Sequence, residues 1–478
     1  MFQELKKNKF EFILILFGVL ISILWSTYNL KNFDTYKVNY SGVSYNQLIY
    51  HDMHRSWKIA ENFKKNLQKG KNFFEALPLY EKFFLPPIIT GIYYYLIDED
   101  MHITSNDGEK VPKIDNHKFN LLIFQIILFY VSIFFFSKEL KKKVNRFNYK
   151  VILLFLCLEP SILQWHSTFW SESIFISLMI FSFTIILKKT DNLVLNFILG
   201  VLIAFLFLQR SVSIFYIVPV IFYYLLIFKT NLKPSFFLLL GYFLIIASLG
   251  VNNFKKSGSF HILSKIHQYK SYYEYFAHII YADKNNISQD EALEVLKEKE
   301  KKWITDNIID YRLINENILT EDLEILEKVV KYRNSFFIET VLANPIFTVK
   351  YYSKKIVTMC IIHPFWAHGS YYVDKTTPEA KYVPANYYHK NLYKNIMYSM
   401  VIYFFVLVGF LSLLNRVKKR KIDNYDWFLI FNILSISYFI AISGFWGNPK
   451  YFAPCMISIS FFFADGLRLF YKKIQTIS

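Results

Sequence analysis

Four residues of this chain have types and settings that could do chemistry at a water–lipid boundary: Asp52, Glu172, Arg210 and Lys450. Asp52 lies in His51-Asp52-Met53-His54, just ahead of a run with helical spacing. A carboxylate placed there can take a proton from a substrate hydroxyl. The same residue type is also a favoured helix N-cap, and spacing does not separate the two roles. Glu172, in Trp170-Ser171-Glu172-Ser173, opens an apolar run. Acidic groups at membrane depth are costly and tend to mark function. A carboxylate in a first helical turn also complements the helix dipole, with Ser171 as cap. Arg210 closes another apolar run in Gln209-Arg210-Ser211, and Lys450-Tyr451 opens the last one. Cations at such ends could hold a phosphate and neutralise developing charge, or snorkel to headgroups. Asp34 and Glu159 are related acidic outliers, and His54, Tyr451 and His363 are lesser candidates for substrate contact. His51, Asp52 and His54 together are a weak ligand pattern. No cofactor or metal site is assigned, and a divalent metal is left open.

The elements that must hold these residues are membrane helices. The chain has 478 residues, 54% of them hydrophobic and 20% aromatic, with the apolar residues in repeated runs. Soluble domains do not carry that load, so the fold class is an all-α polytopic membrane protein. A net charge of +18 could suit nucleic acid, but the basic residues fall in short clusters between apolar runs. That distribution fits positive-inside flanks and anionic headgroups, so no nucleic-acid partner is expected. Cys157, Cys360 and Cys455 lie in or beside apolar runs and show no disulfide or thiolate-metal spacing. The basic stretch 1–9 precedes an apolar run without a small-residue cleavage site, which reads as a retained membrane helix.

About ten spans are expected, near 11–30, 118–137, 150–166, 170–187, 193–209, 212–228, 234–252, 393–414, 427–446 and 451–471. The chain then divides into 1–252 (spans one to seven with a first outer loop 31–117), an extracytoplasmic segment 253–392, and 393–478. Both termini and every short basic loop fall inside, and the four candidates fall outside. The apolar stretch 85–97 is too short to cross, opens on Pro86-Pro87, and is expected to be re-entrant or interfacial. Arg55 opens a helix ending at Gly70, with Trp57, Ala60, Phe63 and Leu67 on one face. Directly after a span, such a face is expected to lie on the bilayer. In the second outer segment, Ser288 and Glu291 form a capping-box pattern that starts a helix to about Ile308. A helix from Glu321 is broken at Asn344-Pro345, and an aromatic, basic helix follows along the interface.

In this order the motifs resemble those of the bacterial polytopic glycosyltransferases of the GT-C superfamily that use polyprenyl-phosphate sugars. They resemble the branch related to protein mannosyltransferases and to lipid A aminoarabinose transferases. The matching positions are Asp52, Trp57 and Ala60, then Pro86-Pro87, then Pro160 through Glu172 and Phe175. Arg210 ends the fifth span, Asn253 and Gly258 follow the seventh, and Asn344-Pro345 and Lys450-Tyr451 with Pro454 complete the series. Two departures stand out: His51 and Met53 flank Asp52 where many members carry a second acidic residue, and Lys450 stands where arginine is common. The resemblance implies inverting transfer of a sugar from a polyprenyl-phosphate donor on the outer face of the bacterial inner membrane. The acceptor would be a lipid, glycan or protein. Asp52 would be the base, Arg210 and Lys450 would hold the phosphate, and Glu172 would orient sugar or acceptor. Aromatics between 269 and 276 would stack on substrate. An outer-face glycan polymerase or ligase shares the lipid and the large loop, but not the Asp52 helix. A lipid-linked-glycan flippase would want charge inside several spans and repeated halves. A non-catalytic scaffold has no positive feature.

Overall fold

The computed structural model describes residues 9–33, 37–40, 43–46, 51–78, 85–104, 110–112, 116–167, 171–229, 231–258, 260–262, 276–308, 323–362, 371–373, 380–382, 386–445 and 449–476. Among them, eight helical segments are long and apolar enough to cross a membrane: Lys9–Thr27, Phe119–Lys143, Arg146–His166, Ser171–Lys188, Ser211–Phe228, Lys233–Lys256, Leu392–Lys418 and Asn424–Ser443. A shorter apolar helix, Leu193–Gln209, and Cys455–Gln475, whose second half carries Asp465, Arg468, Lys472 and Lys473, stand at the other two expected spans. The fold is therefore an all-α polytopic membrane protein, with short strand pairs in its loops.

The helices, in chain order, are α1 (Lys9–Phe33), α2 (His51–Gln68), α3 (Phe73–Ala76), α4 (Leu85–Leu96), α5 (Asn116–Lys143), α6 (Arg146–Leu158), α7 (Pro160–Leu163), α8 (Ser171–Lys188) and α9 (Leu193–Gln209). They continue as α10 (Ile217–Phe228), α11 (Lys233–Ser257), α12 (His278–Asn285), α13 (Gln289–Asn307), α14 (Leu323–Ala343), α15 (Pro345–Cys360), α16 (Asn386–Lys418), α17 (Asn424–Ser443) and α18 (Cys455–Gln475). Membrane helices have no hydrophobic drive toward one another, so small residues that admit close backbones decide where they cross. A methyl group on Gly200 would overlap the Leu238 carbonyl, and one on Gly241 the Phe197 carbonyl, which fixes α9 on α11. Gly409 and Gly466 do the same for α16 on α18, against the carbonyls of Phe462 and Phe405.

One end of the bundle, the basic end, collects the lysine- and arginine-rich helix termini. There Arg416 Nε donates to Asp426 Oδ1 at 2.7 Å, and Arg416 Nη2 and Arg468 Nη2 reach Asp465 at 3.5 and 3.3 Å. Asn148 Nδ2 also donates to Asp465, and Lys141 and Tyr149 both bond Glu11, at 2.7 and 2.6 Å. These contacts tie α1, α5, α6, α16, α17 and α18 at one level.

The other end, the loop end, carries the extramembrane segments, and here two sequence expectations are corrected. First, α2 starts at His51 rather than Arg55, so Asp52 belongs to its first turn and does not precede it. Second, the apolar face of α2 does not meet lipid. Trp57, Ala60 and Phe63 are buried against α4, where Trp57 packs edge-on to Tyr94 at 5.5 Å and its Nε1 donates to Met101 O at 3.0 Å. A side chain at Gly91 would strike the Ala60 carbonyl, so the glycine lets α4 close on α2. Two half-apolar helices covering one another satisfy the same stripe that a bilayer would have satisfied. The 85–97 stretch holds a helix of 12 residues, about 18 Å long at 1.5 Å each, short of the roughly 30 Å of a bilayer core.

In the loops, β1 (Lys37–Tyr40) and β2 (Val43–Asn46) form a hairpin, and β3 (His102–Thr104) pairs with β4 (Lys110–Pro112). β5 (Tyr371–Val373) and β6 (Ala380–Tyr382) pair antiparallel, and β1 runs parallel to β6 at Val38↔Ala380. One four-stranded sheet in the order β2-β1-β6-β5 thus joins the first loop to the last, where sequence suggested ordered loop alone. In the helical segment, Ser288 caps α13 by accepting from Glu291 N at 3.1 Å, as its spacing predicts. Arg333 on α14 grips Glu300 on α13 through two bonds of 2.8 Å. Pro345 opens α15, whose Tyr352 hydroxyl donates to Ala441 O at 2.9 Å and so seats α15 on the last turns of α17.

Candidate functional site

The chain breaks twice at the loop end, and each break presents a charge. After α8 begins at Ser171, Glu172 sits in its first turn. α9 ends at Gln209, and Arg210 follows in extended conformation before a short 3-10 turn, Ser211–Ser213. Neither carboxylate nor guanidinium reaches the rim. Arg210 and Glu172 form a direct ion pair with side chains 4% and 1% exposed, which corrects the expectation of a rim arginine. The physical reason is that α8 and α9 pack side by side, so the start of one and the end of the other meet. Gln209 Nε2 donates to Ser171 O at 2.8 Å and Ser171 Oγ to Glu172 Oε2 at 3.0 Å, closing the joint.

The last chain break supplies the third wall. Pro449–Phe452 forms a 3-10 turn ahead of α18, and its Tyr451 ring lies 4.6 Å from the Arg210 guanidinium carbon. Lys450 Nζ lies 5.4 Å from the same ring, and Lys450 is also buried, at 7% exposed. Two cations thus lie within cation–π distance of one aromatic ring. Around this end, buried polar atoms of Gln209 (Oε1), Ser213, Ser443 and Ser458 have no hydrogen-bond partner among the described residues. Such groups cost free energy unless something satisfies them.

Sequence reasoning missed two further pairs. Glu159, at the break between α6 and α7, is buried and accepts the Tyr398 hydroxyl at 2.6 Å. His166 is fully buried beside Phe129, with Nδ1 2.9 Å from Ser173 Oγ and no partner for Nε2 among the described residues. The acidic residue before Pro160 was visible in the sequence; its tyrosine partner, 239 residues away, was not. Phe276 is buried against Phe445 at 4.9 Å, so it is core rather than a stacking platform. The rest of 269–275, together with Asp34 and His363, lies outside the described residues. The side chains of Asp52 and His54 do as well; their backbone occupies the first turn of α2. Asn253 is buried, its Nδ2 donating to His261 O at 2.8 Å, and Gly258 takes φ +70° to end α11. Among the described residues no group of three metal-ligating side chains occurs.

No family model and no curated protein matches the chain. Among solved structures it overlays on the archaeal oligosaccharyltransferase AglB from Archaeoglobus fulgidus, in complex with an inhibitory peptide and a dolichol-phosphate. The TM-score is 0.47 and the identity 11%, over 99% of this chain and 51% of that one. The apo form of the Archaeoglobus fulgidus oligosaccharyltransferase gives 0.43 and 12%, over 97% and 51%. The chain spans about half the length of the structures it matches. At these scores and identities the likeness decides neither fold nor activity.

Proposed function

We propose that this chain is an integral-membrane glycosyltransferase that moves a sugar from a polyprenyl-phosphate donor to an acceptor on the outer face of the cytoplasmic membrane. The observation that carries the reading is the convergence of Arg210 and Lys450 on Tyr451 at the loop end, inside the protein rather than on its surface. A phosphate entering there meets two cations in a low-dielectric setting, where charge-assisted bonds are strong. Glu172 holds the guanidinium in place, so the phosphate meets an oriented fork.

In the reaction, an acceptor hydroxyl oxygen attacks the anomeric carbon as the bond from that carbon to the carrier phosphate breaks. The configuration inverts, Asp52 takes the hydroxyl proton, and the charge leaving on the phosphate falls to Arg210 and Lys450. Short basic loops at the opposite end support an outward-facing site with both termini inside. The family resemblance implies a lipid, glycan or protein acceptor and names no one sugar.

Transfer from a lipid-linked sugar by the purified Asp52→Asn protein tests the reading. Asparagine keeps the size of aspartate, and in the first turn of α2 it forgoes only a carboxylate's attraction to the helix dipole, so folding is expected to change by less than about 1 kcal/mol. Turnover is expected to fall on the order of a hundredfold or more. Turnover within a few-fold of the parent would leave Asp52 as a helix-end residue.

A further inference from the structure

With the apolar face of α2 spent on α4, the first loop needs another contact with the bilayer, and residues 71–78 have the features for one. Asn72 and Glu75 close a reciprocal capping box around α3, with Asn72 Oδ1 accepting from Glu75 N at 3.0 Å. This box turns the Glu75 carboxylate back onto Asn72 N. The loop is pinned to the final turns of α11: Lys256 Nζ donates to Glu75 O and Asn252 Nδ2 to Pro78 O, both at 3.3 Å. α11 is long and apolar enough to cross a membrane, so its last turns fix the height of the loop at the headgroup level. At that height the loop exposes Phe74 at 73%, with Phe73 packed edge-on beside it at 5.7 Å. Large apolar side chains left in the open at this depth have lipid, not water, beside them. Lys256 bonds the loop four residues after Lys71, and Lys255 is its neighbour in the chain, so three lysines belong to this corner. Cations gathered there suit phosphate headgroups.

We propose that residues 71–76 and the last turn of α11 form a headgroup-level anchor. In it Phe73 and Phe74 enter the acyl boundary, and Lys71, Lys255 and Lys256 bind the phosphates of anionic phospholipids. Phe73 also packs edge-on to Phe63 of α2 at 5.8 Å, so the anchor sets the height of the helix that begins beside Asp52. The inference does not depend on the sugar-transfer reading.

The test reconstitutes full-length Phe74→Trp protein in vesicles of phosphatidylcholine with or without phosphatidylglycerol, and reads tryptophan emission as the difference from the parent. The added signal is expected to be blue-shifted and quenched by lipids brominated near the headgroup, more strongly when phosphatidylglycerol is present. The phosphatidylglycerol effect is expected to vanish in Phe74→Trp protein that also carries Lys71→Glu and Lys256→Glu. An added signal quenched by aqueous iodide and indifferent to brominated lipid would overturn the anchor. Persistence of the phosphatidylglycerol effect after charge reversal would overturn the role of the lysines. Transfer activity enters neither readout, so failure here and failure of the catalytic reading are separate.

Discussion

At the basic end Asp465 is shared by Arg416 and Arg468, whose side chains remain 27% and 25% exposed. At the loop end Arg210 and Glu172 are sealed together, and the arginine also lies on Tyr451. Both ends hold buried carboxylates, but the cost of breaking them differs. An arginine that reaches water can rehydrate when its partner goes; a sealed charge cannot. A buried ion pair gives no more stability than well-packed apolar residues would, so it is weak evidence for a purely structural role. What separates the loop end is the setting: chain breaks on three elements and a second cation on the same ring. The basic end instead reads as a clasp on helix termini.

The sharpest way to break this comparison is to ask which end faces outward. An impermeant thiol reagent applied to intact cells is expected to label Asn286→Cys, in the loop-end segment, and not Lys419→Cys, at the basic end. The reverse pattern would turn the site inward. Next in size is Arg210→Ala, which strands a buried Glu172. It is expected to cost about 3–5 kcal/mol of stability in an unfolding titration and to abolish donor binding. Arg210→Ala combined with Glu172→Gln is expected to regain most of that stability and none of the binding; recovery of both would make the pair a clasp like that at the other end. Asp465→Asn is expected to cost roughly 1–3 kcal/mol while transfer per folded molecule stays at the parent rate. Smallest is Tyr451→Leu, which removes the ring that both cations approach, at about 0.5–2 kcal/mol. Its loss is expected to appear as a raised KM for the donor with kcat little changed.

Much of the fold was legible because membrane spans announce themselves by long apolar runs, and helix ends by local chemistry. Ser288 with Glu291, Gly258 after α11 and Pro345 at the start of α15 all act where their types and spacing put them. The face of α2 was legible as a stripe, with Trp57, Ala60 and Phe63 all buried, but its partner was not. A periodicity says that a face must be covered and is silent on whether lipid or α4 covers it. The site was legible in pieces: Glu172, Arg210, Lys450 and Tyr451 each drew attention as a charge or aromatic at the end of an apolar run.

Their meeting belongs to the tertiary structure alone. Arg210 finds Glu172 across 38 residues of chain, and Tyr438 reaches the Val212 carbonyl across 226. Such approaches depend on which helices neighbour one another, and that is decided by a few glycines whose contacts are remote in sequence. By itself the chain determined its membrane class, its apolar runs, its helix punctuation and the types of its chemical groups, because these follow from transfer energies and local backbone geometry. Only the packed bundle decided that the two cations would be buried on one ring and that the first-loop helix would be shielded by a second. Burial and pairing are properties of neighbours, and neighbours are chosen by packing.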